Sequence, residues 1–142
     1  MRTAVVDTGP LVAFLNRRDR HHAWAAEQFG SLTPPLLTCE AVLSEAAYLV
    51  RGLAGGPEAV LELVARDVVR PSFRLQDEIA AVKALVRRYA RDLADACLVR
   101  MSELHADCVV FTIDAEFRDV YRRHGRQVIP TLLPPDTGRR RR

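Results

Sequence analysis

The sequence predicts a single α/β domain built on a parallel sheet. Short β-capable runs alternate with segments of helical period along the chain, with no repeat and no internal linker. The strand-like runs are apolar rather than alternating, as strands covered on both faces are. The 142 residues suffice for one core and need no disulfide or metal to hold it.

Thr3–Val6 is a short apolar strand ending at Asp7. Thr8, Gly9 and Pro10 supply a cap-type hydroxyl, a glycine and a proline at a helix start, and that helix runs to about Asn16. A second helix covers His22–Phe29, and Ser31–Pro35 is a loop before a short buried strand at Leu36–Thr38. Glu40–Val50 is helical in period and stops near Gly52; Gly55-Gly56-Pro57 opens another helix to about Arg66. Val68–Arg70 reads as a strand closed by Pro71. Leu75, Ile79, Val82, Val86 and Tyr89 have helical spacing over 75–90, and Asp92 or Leu93 starts a helix reaching about His105. Cys108–Thr112 is an almost purely apolar strand. Ala115–His124 reads as a helix stopped by Gly125, and Val128–Ile129 as a last short strand before Pro130, with the remainder a tail.

Hydrophobic residues at 49% and charged residues at 27% argue against disorder. No apolar run approaches the ~20 residues of a membrane helix, and MRTAVVD has no secretory pattern, so a cytoplasmic protein with no membrane role is expected. Cys39, Cys97 and Cys108 are odd in number and far apart, the pattern of reduced core thiols. The net charge of +3 comes from Arg139–Arg142; without those four the balance is 17 − 18 = −1. Lys83 is the one lysine, so the cations are almost all arginine, a planar five-donor fork suited to phosphate.

In parallel sheets, ligands bind beyond the carboxyl ends of the strands, near the switch in strand order. Asp7 ends one strand and Asp114 lies two residues beyond another. Glu45 has Ala41, Val42, Tyr48 and Leu49 as helical neighbours, and Asp95 sits in a first helical turn within LADACLV. Charge facing a core is costly unless paired or bound to a cation. Singly, each acid has a structural explanation: Asp7 as a helix cap, Asp95 as a helix N-terminal acid, Glu45 in a buried ion pair. Together they suggest carboxylates around a hard cation, Mg²⁺ or Mn²⁺. The sequence has no Cys/His zinc spacing and no phosphate-binding glycine loop, and its four histidines suit surface or capping roles. An acid-rich cation site without a nucleotide cradle points to phosphodiester hydrolysis.

VVDTGPLVAFLNRRDRHH, CEAVLSEAAYLV, LADACLVRMSE and FTIDAEFRDVYRRHG, in that order and spacing, resemble the PIN-domain family, and within it the VapC-type toxins, the ribonuclease halves of toxin–antitoxin pairs. The resemblance covers about residues 3–134. It implies a three-layer α/β/α domain with a central parallel sheet; the domain is expected over 1–134, and the arginine-rich composition of 135–142 suggests a disordered tail. It also implies Mg²⁺- or Mn²⁺-dependent RNA cleavage, with the family's four acids falling on Asp7, Glu45, Asp95 and Asp114. Thr8 and Thr112 would then be hydroxyls that orient carboxylates or water. Where many relatives carry a further aspartate two residues beyond the fourth acid, this chain has Glu116, and RRYARD before LADA is a shorter loop. A cognate antitoxin and a homodimer are further implications of the likeness.

Three arginine groups lie close in sequence to these acids and could form a cationic rim for RNA: Arg17, Arg18 and Arg20; Arg87, Arg88 and Arg91; and Arg118, Arg122 and Arg123. The region of Trp24, Phe29, Tyr48 and Leu53 offers either an interface or core packing. The rival readings are three. Asp7-Thr8-Gly9 matches the D-T-G of aspartic proteases, but those are all-β. A phosphoacceptor receiver needs a lysine at a late strand end, and Lys83 lies mid-helix. An inactive PIN-like RNA-binding module remains the alternative to the enzyme.

Overall fold

The computed structural model describes residues 2–89 and 92–135. Five strands form one parallel sheet: β1 (Thr3–Val6), β2 (Leu36–Thr38), β3 (Val69–Pro71), β4 (Cys108–Phe111) and β7 (Thr131–Leu132). Their spatial order is β3-β2-β1-β4-β7. β1 and β4 are in register from Thr3 opposite Cys108 to Val6 opposite Phe111, and the Asp7 amide continues the ladder to the Phe111 carbonyl at 2.9 Å. The burial is that of a doubly covered sheet: Val5, Val6, Val110 and Phe111 are all fully buried.

Helices α1 (Thr8–Leu15) and α2 (His22–Ser31) connect β1 to β2; α3 (Glu40–Leu49) and α4 (Gly56–Ala65) connect β2 to β3. A 3₁₀ turn at Leu75–Glu78, α5 (Ile79–Tyr89) and α6 (Leu93–Leu104) lead back across β1 to β4. The first two crossovers step one way along the sheet and the third steps the other. Right-handed connections therefore put α1–α4 on one face and α5 and α6 on the opposite one, giving the three-layer α/β/α arrangement. The strand order reverses between β1 and β4, so their carboxyl ends flank the crevice where such sheets place their chemistry.

The C-terminal quarter departs from the sequence expectation. The helix expected over Ala115–His124 is only one turn, α7 (Glu116–Asp119). The Arg122 guanidinium takes the carbonyls of Arg118 and Tyr121 at 3.1 and 2.8 Å, and the chain turns into a two-stranded antiparallel hairpin, β5 (Arg122–Arg123) and β6 (Gln127–Val128). His124 and Gly125 both have positive φ, 50° and 79°, the torsions of a tight hairpin turn. Phe117 and Tyr121, one helical turn apart in sequence, are both buried, so their helical spacing was genuine, but the helix ends between them. The last sheet strand is Thr131–Leu132, in what the sequence suggested was tail; of the strand expected at Val128–Ile129, Val128 belongs to the hairpin and Ile129 to no strand.

Three of the four residues considered for an interface are partly buried and pack against the core. Trp24 meets the Phe111 ring edge-on at 5.2 Å, Phe29 stacks on Phe14 at 4.4 Å, and Leu53 packs against the buried cluster. Tyr48 alone is mainly exposed, under the Arg51 guanidinium. All three cysteines are free and buried. Among the described residues, no helix is long and apolar enough to cross a membrane. Arg139–Arg142 lie outside the described residues.

Candidate active site

Asp7 follows β1 and caps α1, its Oδ1 accepting from the Thr8 amide at 2.7 Å. Capping does not exclude chemistry, because a carboxylate oxygen has lone pairs beyond the one a single hydrogen bond uses. Oδ2 accepts from the Thr112 hydroxyl at 2.7 Å, and Thr112 Oγ1 in turn accepts from the Asp114 amide at 2.9 Å. Asp114 Oδ1 accepts from the Glu116 amide, which shapes the turn into α7. On the other side, the Thr8 hydroxyl donates to Glu45 Oε1 at 2.6 Å. Two threonines thus link three acids from β1, α3 and the β4–α7 loop, and Thr8 and Thr112 do orient carboxylates.

Asp95 lies in the first turn of α6, where Asp92 caps the helix by accepting from the Asp95 amide at 2.9 Å. Its Oδ2 accepts from the Tyr121 hydroxyl at 2.6 Å. Sequence reasoning missed Tyr121, because a helix over 115–124 gave no reason to place it there. The usable signal was the His124-Gly125 pair, a turn cue that would have shortened that helix.

The acids sense one another electrostatically. Burial pushes the Asp7 carboxyl up to about 7; the hydrogen bonds from Thr112 and Thr8 oppose this, and the charges of Asp95 and Asp114 add to it. Burial likewise raises Asp95 to about 6, opposed by the Tyr121 bond and reinforced by Asp92, Asp114 and Glu45. Raised carboxyl pKa values from desolvation and like charge, at the mouth of a parallel sheet, are a functional signature. All-carboxylate donors suit a hard divalent cation, which would relieve this repulsion. Among the described residues, no three His, Cys, Asp or Glu side chains already stand at ligating separation, so closure on a cation would involve side-chain adjustment.

One expectation about Glu45 is corrected. It is exposed rather than turned to the core, because the buried stripe of α3 is narrow: Val42, Ala46 and Val50 are fully covered, whereas Tyr48 and Leu49 are 60% and 53% exposed. Its carboxylate accepts from the Thr8 hydroxyl rather than from an arginine. The arginine groups divide as well. Arg17 and Arg18 are exposed beyond α1, and Arg87 is exposed at the end of α5. Arg88 donates to the Gly125 carbonyl at 3.0 Å, and Arg91 lies outside the described residues. The third group is structural: Arg118 pairs with Asp119 at 2.8 Å, and buried Arg123 donates to the carbonyls of Ser102, His105 and Ala106 at the end of α6.

A family model described as PIN domain matches residues 4–123. The chain belongs to the PIN domain family. No curated protein matches the sequence significantly. Among solved structures, this PIN domain is similar to Mycobacterium tuberculosis VapC20, a Sarcin-Ricin loop cleaving toxin, with a TM-score of 0.69 and 24% identity over 80% of this chain and 92% of that one. The likeness extends to the fold, and the matched span of the PIN model contains all four acids.

Proposed function

We propose that this PIN domain is a divalent-cation-dependent endoribonuclease of the VapC type, the toxin of a toxin–antitoxin pair. The observation that supports the reading is the pair of raised carboxyls, Asp7 beyond β1 and Asp95 in α6, each lifted out of the ordinary range by burial and by the charges of other acids, Asp114 and Glu45 among them.

Asp7, Glu45, Asp95 and Asp114 would hold Mg²⁺ or Mn²⁺. The cation supplies activation of the attacking water and neutralises charge developing on the phosphate. Thr112 holds Asp7 Oδ2 and the Asp114 backbone together, keeping two carboxylates at one sheet edge. Thr8 orders the Glu45 oxygen that would otherwise move freely on an exposed helix face. A carboxyl with a pKa near 7, such as Asp7, changes its protonation state at little cost near neutral pH, so cation uptake there is coupled to proton release. Exposed Arg17, Arg18 and Arg87 supply cationic contacts for the RNA backbone. Residues 1–134 form the catalytic domain, 135–142 a basic tail, and a cognate antitoxin and a second copy of the chain are its protein partners in the cytoplasm.

The test is cleavage by the purified chain, freed of any co-purifying protein, on RNA and single-stranded DNA with Mg²⁺, Mn²⁺ or EDTA. A sarcin–ricin-loop RNA, the substrate class in the name of VapC20, belongs among the substrates. RNA cutting with metal and none with EDTA is expected, and Asp95→Asn lowers the rate by orders of magnitude while the fold survives. Full activity in Asp95→Asn refutes the assignment. RNA binding without Mn²⁺ uptake favours the inactive RNA-binding module.

A further inference from the structure

The geometry points to Tyr121 as a positioning residue for Asp95: its hydroxyl fixes one carboxylate oxygen, leaving Oδ1 as the oxygen Asp95 offers a cation. The inference rests on the cation-dependent nuclease reading and deepens it.

Tyr121 is 1% exposed, yet its hydroxyl is spent on Asp95 Oδ2 at 2.6 Å. The ring cannot move easily. Phe117 and Tyr89 meet it edge-on at centroid separations of 4.9 and 5.1 Å, and the Tyr89 hydroxyl accepts from the next backbone amide, Arg122, at 3.0 Å. Two residues on, Arg123 holds the carbonyls at the far end of α6, and the His124 amide donates to Glu103 Oε2 on the same helix at 2.7 Å. The segment from Tyr121 to His124 therefore grips α6 near both ends. Asp95 is held from behind by its backbone bond to Asp92 and in front by Tyr121. A carboxylate so placed is ready for a cation before the cation arrives. Groups that orient a ligand from outside the metal's own shell typically set affinity by 10–100-fold.

The phenylalanine variant isolates the hydroxyl, because Tyr121→Phe keeps the ring and its edge contacts. Mn²⁺ is titrated calorimetrically into the metal-free full chain, and RNA cleavage is followed in parallel. Tyr121→Phe is expected to weaken Mn²⁺ binding about 10–100-fold while KM for RNA stays unchanged. In an Asp95→Ala background, where no side-chain oxygen is left for the hydroxyl, the same tyrosine change shifts Mn²⁺ affinity less than twofold. Mn²⁺ affinity within twofold of wild type in Tyr121→Phe overturns the positioning role. So does an equal loss in both backgrounds, which would mark a general packing effect. Either result can arise with a wild type that binds Mn²⁺ and cuts RNA, leaving the nuclease reading intact; a wild type that does neither overturns both.

Discussion

The Asp7 carboxyl makes the metal-free protein more stable in mild acid than at neutral or higher pH. It titrates at about 7 in the fold against 3.8 for the ordinary group. The sign follows from the raised value. The folded state binds the proton more tightly than the unfolded chain, so ionising Asp7 costs folding free energy. That cost is absent below pH 3.8, grows as pH rises, and levels off above pH 7. At about 1.36 kcal/mol per pH unit of difference, the cost is about 4 kcal/mol at pH 8 and just under about 2 kcal/mol at pH 5. Asp7 thus makes the protein about 2–3 kcal/mol more stable at pH 5 than at pH 8.

Asp7→Asn removes the charge and keeps an oxygen for the Thr8 amide. It turns the position facing Thr112 from acceptor to donor, at a cost of about 1 kcal/mol. The expected net result is stabilisation by about 2–3 kcal/mol at pH 8 and by less than about 1 kcal/mol at pH 5. Urea unfolding followed by Trp24 fluorescence in EDTA, at several pH values from 5 to 8, measures both chains. Subtracting the Asn chain removes the titrating groups that are not coupled to Asp7. Equal pH slopes in the two chains would refute the placement of Asp7 in a dry, acid-crowded pocket. Added Mn²⁺ should stabilise wild type most at pH 8, where the ionised carboxylates otherwise repel.

Gly9→Ala should destabilise the fold by about 1–3 kcal/mol, because the new Cβ would stand 2.5 Å from Ile113 Cγ1. Ile113→Ala should recover part of the loss; thermal unfolding of the two single variants and the double variant checks the coupling, and additivity would refute it. The arginines should separate by readout. Arg123→Met leaves the α6 carbonyls unpaired and should cost about 2–4 kcal/mol in urea unfolding. Arg17→Ala and Arg18→Ala should leave unfolding unchanged, weaken RNA binding, and each reduce the slope of log affinity against log salt by about 1.

The sheet and most helices were legible because they depend on local signals. The run at Cys108–Thr112, the Thr8-Gly9-Pro10 start and the Asp92 cap each declare themselves within a few residues. The hairpin after α7 did not. Its segment has the spacing of a helix at Phe117 and Tyr121, and what ends the helix is tertiary: Arg122 turning back on carbonyls and Arg123 reaching across to α6. β7 was hidden for a related reason. Two residues paired to β4 need no pattern of their own, since β4 supplies the ladder.

The four acids were singled out through a premise that holds only partly. The cost-of-burial reasoning concerned Asp95 and Glu45: Asp95 is half-buried, but Glu45 is exposed. An acid on an exposed helix face carries no burial anomaly, so its apolar neighbours in sequence were a misleading signal. What distinguishes Glu45 is the Thr8 hydroxyl, delivered by the residue next to Asp7. Asp7, Glu45 and Asp114 are tied to Thr8 and Thr112, which follow β1 and β4 directly, while Asp95 on α6 accepts from Tyr121. Position in the strand order, rather than burial of each side chain, is therefore the physical reason these four segments converge. The same reasoning predicts that a sheet-edge change such as Thr112→Val damages the site more than Glu45→Gln. It removes the donor to Asp7 and the acceptor for the Asp114 amide together, at about 1–3 kcal/mol for the unpaired groups. Urea unfolding of the two variants ranks them, and a larger loss in Glu45→Gln would invert the argument.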